Sequence, residues 1–394
     1  MKAKRRVVTA AEIRATAPKP PGAKRRPTVR KIRSAIVSAP KEGRPITVAR
    51  FGAQEVIAEP VESPAESPFV GGQPGLVDLS VELGRGLRLA NPVLVASGTF
   101  GYGIEYGDVV AVERLGAICC KGTTLRPRVG NQPPRVTETP AGMLNSIGLQ
   151  NPGVDAVVEK YAPTWAGWRV PVVVNVAGES VGDYVEVVRR LEGVPGVAAI
   201  ELNISCPNVG RGGLQFAIDA GAAGEVTAAV RRATDLPLLV KLSPNVADIR
   251  PIARAIEDAG ADALTAINTL SGIAVAPGRD RPLLGNVFGG LSGPAVKPIA
   301  LRVVYEAVQA VKIPVVAIGG VTELADVLDF LAVGAVAVQI GTAIFADPTL
   351  PVRLVEELRA ECLRRGLGSY RELVGTALPK RPGATSAKGV EYRP

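Results

Sequence analysis

The chain has 394 residues and is 47% hydrophobic, enough to bury a large core, and it contains no histidine. That absence excludes histidine metal ligation and the usual proton shuttle near neutral pH. The formal net charge of +9 is confined to one end: residues 1–75 hold 15 Lys and Arg against 6 Asp and Glu, and the remainder carries 31 of each sign.

Residues 1–75 include the basic runs Lys2 to Arg6 and Ala23 to Arg33 and ten prolines. Such a segment has little with which to build a core, so it is expected to be a disordered basic extension. Its charge fits a solvated arm, with nucleic acid or an anionic membrane face as alternative partners. Its apolar stretches are too short for a secretory h-region, and the body has no uninterrupted apolar run of membrane-spanning length. A soluble cytoplasmic protein is expected, with residues 76–394 as its single folded domain.

The body opens with VDLSVELGRGLRLA (77–90), which reads as a β-hairpin closing the bottom of a barrel. Short runs rich in Val, Ile, Leu and Ala then alternate with segments of helical periodicity. The runs are PVLVAS (92–97), GAICCK (116–121), PVVVNV (171–176), AAIELN (198–203), LLVKLS (238–243), ALTAIN (263–268), PVVAIGG (314–320) and AVQIGT (337–342). Near-continuous apolar strands suit a parallel sheet buried on both faces, and eight of them predict an α/β fold, the (β/α)8 TIM barrel. Between them, Ile249, Ile252 and Ile256 share a helix face before Gly260. Val296, Ile299, Val303 and Val311 suit a longer helix, and Thr322 is a candidate cap for a helix whose inner face is Leu324, Val327, Leu328 and Leu331.

In such barrels the chemistry gathers at the carboxyl ends of the strands. Those ends are Ser97, Lys121, Asn175, Asn203, Lys241, Asn268 with Thr269, Gly319-Gly320 and Gly341-Thr342: polar or glycine in every case. The last two glycine positions let backbone approach a ligand closely, as phosphate binding requires, although glycine also ends strands for steric reasons. Lys121 and Lys241 would each need an anion or an electron-rich ring beside them to offset desolvation. Asn145, Asn203, Asn208 and Asn268 offer paired donors and acceptors to a planar ring bearing N–H and C=O groups, or else fill polar loops.

Of the four cysteines, Cys119 and Cys120 fit strand packing and Cys362 an inert helical position, and the spacing suits neither zinc nor an iron–sulfur cluster. Cys206 differs. It lies just past the fourth barrel strand, and a thiol is the side chain nearest neutrality left for proton chemistry in a chain without histidine. The following VGRGG (209–213) suits a mobile lid.

Several long segments, NPVLVASGTFGYG (91–103), KGTTLRPRVGN (121–131), PPRVTETPAGMLNSIGLQNPG (133–153), ELNISCPN (201–208), KLSPN (241–245), INTLSG (267–272) and GGLSGPAVKP (289–298), together resemble the class 1 dihydroorotate dehydrogenases. The resemblance runs from about Val77 to Gly375 and is strongest to the catalytic subunit of the NAD-linked class 1B type. It implies an FMN enzyme of pyrimidine (UMP) biosynthesis that oxidises (S)-dihydroorotate to orotate, with Cys206 as the base taking the C5 proton. Implied FMN contacts are Ser97, Lys121, Gly122, Asn175, Asn203, Lys241, Ile267, Gly293, Gly319, Gly320, Gly341 and Thr342. Implied orotate contacts are Lys121, Asn145, Ser146, Ile147, Gly148, Leu149, Asn203, Asn268 and Thr269. It further implies a partner subunit with FAD and a 2Fe-2S cluster, in a heterotetramer built on a homodimer. The alternatives are a fumarate-linked class 1A enzyme, a dihydropyrimidine dehydrogenase-like enzyme, or a nucleic-acid or scaffold-binding protein working through its arm.

Overall fold

The computed structural model describes residues 77–204 and 216–379. The expected extension 1–75, Cys206, Asn208 and the 209–213 stretch lie outside the described residues.

Chain entry is the expected hairpin. Strands β1 (Val81–Glu82) and β2 (Arg88–Leu89) pair antiparallel, and Leu83 and Leu87 close the turn through their backbones. The turn needs its first glycine: Gly84 has φ of +90°, and a Cβ there would lie 3.0 Å from Asp262. Arg85, inside the turn, donates to the Asp262 carboxylate, and Asp262 immediately precedes a barrel strand, so the hairpin plugs the barrel's amino-terminal end.

Eight parallel strands then close on themselves. They are β3 (Val93–Val95), β4 (Ala117–Cys119), β7 (Val172–Val176), β8 (Val197–Asn203), β9 (Leu238–Leu242), β10 (Ala263–Ala266), β13 (Val315–Ile318) and β14 (Ala337–Ile340), with β14 pairing back to β3. Nearly every residue in them is buried, which accounts for their unbroken apolar character. The strands are shorter than the apolar runs. The final residues of several runs, Ser97, Lys121, Asn268 and Gly319-Gly320 among them, leave the ladder and turn to the barrel mouth.

The helices pack as their spacing requires, with Ile252 and Ile256 inside on Arg250–Asp258, and Val303, Val304 and Ala307 inside on Lys297–Ala310. Val296 stands just before the latter helix, in a short turn, and faces the barrel mouth instead. At the helix Leu324–Ala332 the expected cap is corrected: Glu323, in extended conformation, is the N-cap, and its N–H is taken by Asp326. Thr322 donates to that same Asp326 from both its N–H and its hydroxyl, so it serves the carboxylate and leaves the helix amides to Glu323. Phe330 joins Val327 and Leu331 on the buried face, while Leu324 and Leu328 are only half-buried.

A second sheet was not anticipated. Strands β5 (Val136–Thr139), β6 (Gly142–Asn145), β11 (Leu270–Ile273) and β12 (Phe288–Ser292) form an antiparallel sheet in the order β11-β12-β6-β5. Its strands come from the segments that follow β4 and β10, which places it over the carboxyl end of the barrel, and it carries Asn145.

Candidate active site

One cavity of about 360 Å³ occupies the carboxyl end, within the size range of small-ligand sites. Every described residue assigned above to a ligand contact lines it except Ser146. Ser146 is fully buried behind the wall; its N–H donates to the Arg135 carbonyl and its own carbonyl accepts from Asn131. The cavity also takes in residues that the strand-end reasoning missed, Thr99, Met143, Leu291, Ser292 and Phe345 among them. Most of these belong to the antiparallel sheet, and Ser292 is tied to the barrel by the Thr342 hydroxyl, 2.8 Å away.

The two lysines differ. Lys121 follows β4, is half-buried, and its ammonium has no hydrogen bond or ion pair among the described residues. Burial pulls its pKa down, opposed in part by Glu105. Lys241 is 4% exposed, donates to the Ser97 hydroxyl at 3.2 Å, and sits 3.5 Å from the Glu201 carboxylate. The anion needed to offset desolvation is therefore present for Lys241, whereas Lys121 has none in ion-pair contact among the described residues.

Glu201 lies on β8 inside the barrel and is fully buried. Asn175 donates to one of its oxygens at 2.7 Å and Gln339 to the other at 2.9 Å. Burial pushes the carboxyl pKa up, but Lys241, Gln339 and Asn175 outweigh it, and the group is held below the ordinary glutamate value. From this carboxylate a directed chain of amides runs to the cavity: Asn268 donates to Asn203, Asn203 to Asn175, and Asn175 to Glu201. A charged acceptor at one end fixes which way each amide faces. The sequence signal for Glu201 was present, since a carboxylate in AAIELN and an ammonium in LLVKLS occupy the same place in adjacent apolar runs.

Glycine shapes the opposite wall. Gly319 and Gly320 both have positive φ, and a Cβ on Gly320 would lie 2.8 Å from the Lys297 Cβ, so bare backbone faces the cavity there. Cys119 and Cys120 are fully buried. Burial raises the Cys119 thiol well above its usual value and the Cys120 thiol to about 12, so both are inert, as expected of strand packing.

A closed barrel whose polar strand ends, glycine cradle and two lysines meet in one cavity at its carboxyl end has the architecture of an enzyme barrel. The sequence profile of the family "Dihydroorotate dehydrogenase" matches residues 79–362, most of the chain. Similar curated proteins are the "Dihydroorotate dehydrogenase B (NAD(+)), catalytic subunit" of Geotalea uraniireducens, 49% identical over 77% of this chain and 99% of its own, and that of Geobacter sulfurreducens, 52% identical over 76% and 97%. Among solved structures, Eimeria tenella dihydroorotate dehydrogenase in complex with ferulenol superposes with a TM-score of 0.65 at 21% identity, covering 76% of this chain and 88% of that one, a likeness of fold. The chain belongs to the dihydroorotate dehydrogenase family.

Proposed function

We propose that this chain is the catalytic subunit of an NAD-linked dihydroorotate dehydrogenase, oxidising (S)-dihydroorotate to orotate in pyrimidine biosynthesis. The observation that carries the reading is the convergence of the strand-end residues on one cavity, together with the names of relatives at about half identity over nearly their whole length.

The residues fit FMN. Bare backbone at Gly319-Gly320 and at Gly341 suits a phosphate, Lys241 with Ser97 suits the polar edge of a flavin ring, and the amides of Asn175 and Asn203 suit its carbonyl and N–H groups. When bound, FMN supplies a hydride acceptor for substrate C6.

The chain's own residues do the rest. Lys121, lacking an ion-pair partner among the described residues, holds the substrate carboxylate, and Asn145, Asn268 and Thr269 bind the pyrimidine ring edge. Asn268 arrives already oriented, because its carbonyl accepts from the Thr269 N–H and its amide donates to Asn203. Cys206, three residues after Asn203 in the sequence, takes the C5 proton.

Electrons then leave for NAD through a partner subunit bearing FAD and a 2Fe-2S cluster, since the sequence offers neither cluster spacing nor a strand-to-helix GxGxxG for a nicotinamide cofactor. The test is purification of the full chain, identification of its released flavin, and acceptor assays. Released FMN, dihydroorotate-dependent dye reduction, and NAD reduction only with the partner added are expected. Efficient NAD or fumarate reduction by the isolated chain contradicts the two-subunit reading.

A further inference from the structure

Beneath the cavity floor lies a charge that no step above uses. Glu201 is fully buried, and Lys241, its ionic partner at 3.5 Å, is nearly so. A buried ion pair is weak evidence for stability, because desolvating two charges commonly costs as much as their attraction returns. This pair nevertheless has both carboxylate oxygens taken by amide donors, and its ammonium opens on the cavity. Its placement points to function.

We propose that Glu201 is a positioning residue whose negative charge holds the Lys241 ammonium in place against the cavity, and thereby sets the charge that the bound flavin meets. The inference rests on the flavin reading above. Without the carboxylate, an ammonium this deeply buried is left with no charged partner among the described residues. Among the described residues, the titratable side chains beside the pair are the thiols of Cys119, on β4, and of Cys120, just after it, both neutral, while Ser97, which follows β3, and Asn175 and Gln339, on β7 and β14, contribute uncharged groups.

The test is Glu201→Gln in the full chain. The replacement is isosteric, and Gln339 has an amide oxygen without a hydrogen-bond partner among the described residues, so its amide can turn over and accept from the new one. The change thus removes charge with little loss of packing. The midpoint potential of the bound flavin is expected to move away from the wild-type value, with FMN affinity falling about tenfold. An unchanged potential and equal affinity overturn the proposal. A second arm needs no flavin: thermal midpoints of the FMN-free wild type, Glu201→Gln, Lys241→Met and the double variant. The double variant is expected to melt above Glu201→Gln, because it leaves no lone buried charge. Strictly additive losses overturn the pairing. A chain that binds no flavin yet shows this coupling refutes the flavin reading and leaves the Glu201–Lys241 pairing standing.

Discussion

The two ends of the barrel handle buried charge in opposite ways. At the amino end, Asp262 receives Arg85, Arg231 and the Leu238 N–H, and Arg231 also donates to the Thr234 and Leu236 carbonyls. Every charge there is spent on closing the plug. At the carboxyl end, Lys121 is left without a partner among the described residues, and Lys241 shares Glu201 and Ser97 while still facing the cavity. Charges at the amino end are satisfied within the fold, whereas the two lysines at the carboxyl end line a cavity.

The contrast predicts that changes at one end cost chemistry and changes at the other cost stability. The largest effect is expected at Cys206. Cys206→Ala should lower dihydroorotate oxidation by about 10²–10⁴-fold with flavin content retained, and Cys206→Ser should be slow with its pH profile moved to the alkaline side, because a hydroxyl is a much weaker acid than a thiol. Steady-state rates over pH check both, and full activity in the alanine variant removes the thiol from its role.

Asp262→Ala should do the reverse. It strands the Arg231 guanidinium, only 13% exposed, and is expected to cost about 2–3 kcal/mol in urea unfolding while kcat in folded enzyme stays near wild type. A loss of activity without a loss of stability would erase the distinction between the two ends.

Acid offers a smaller effect. Burial opposes ionisation of Asp326, but hydrogen bonds from Lys297 and Thr322 outweigh it and hold its pKa below the ordinary aspartate value. A folded-state pKa below the unfolded one means stabilisation that is complete above about pH 4 and is lost as pH falls through the folded value. Thermal midpoints should therefore drop below about pH 4, and Asp326→Asn should flatten that drop.

The smallest effect is expected from deleting residues 1–75. All eight barrel strands and the strand-end residues lie between Val93 and Thr342, so flavin content and dye reduction should be unchanged; loss of flavin would move the domain boundary into the extension.

The barrel was legible because its strands are buried on both faces and so read as unbroken apolar runs, and because the polar residues ending those runs are the ones that turn to the cavity. The hairpin was legible from GRG between two short alternating segments. The antiparallel sheet over the mouth was not. β5 and β6 are only four residues each, β5 with exposed positions and β6 mostly half-buried, and β12 is FGGLS, whose glycines carry no strand signal. That sheet brings Met143, Leu291 and Ser292 to the cavity, so those residues were missed with it. Glu201 was missed for another reason: periodicity marks a position as buried without saying what a buried carboxylate touches, and its partners come from β7, β9 and β14.

The central claim is that the carboxyl-end cavity holds a flavin which dihydroorotate reduces. The most direct measurement is anaerobic mixing of the purified full chain with (S)-dihydroorotate while the visible flavin absorbance is followed. The account predicts bleaching of the bound flavin in the wild type and its near abolition in Cys206→Ala. A colourless protein that takes up no FMN, or a bound flavin that stays oxidised in excess dihydroorotate, would contradict it.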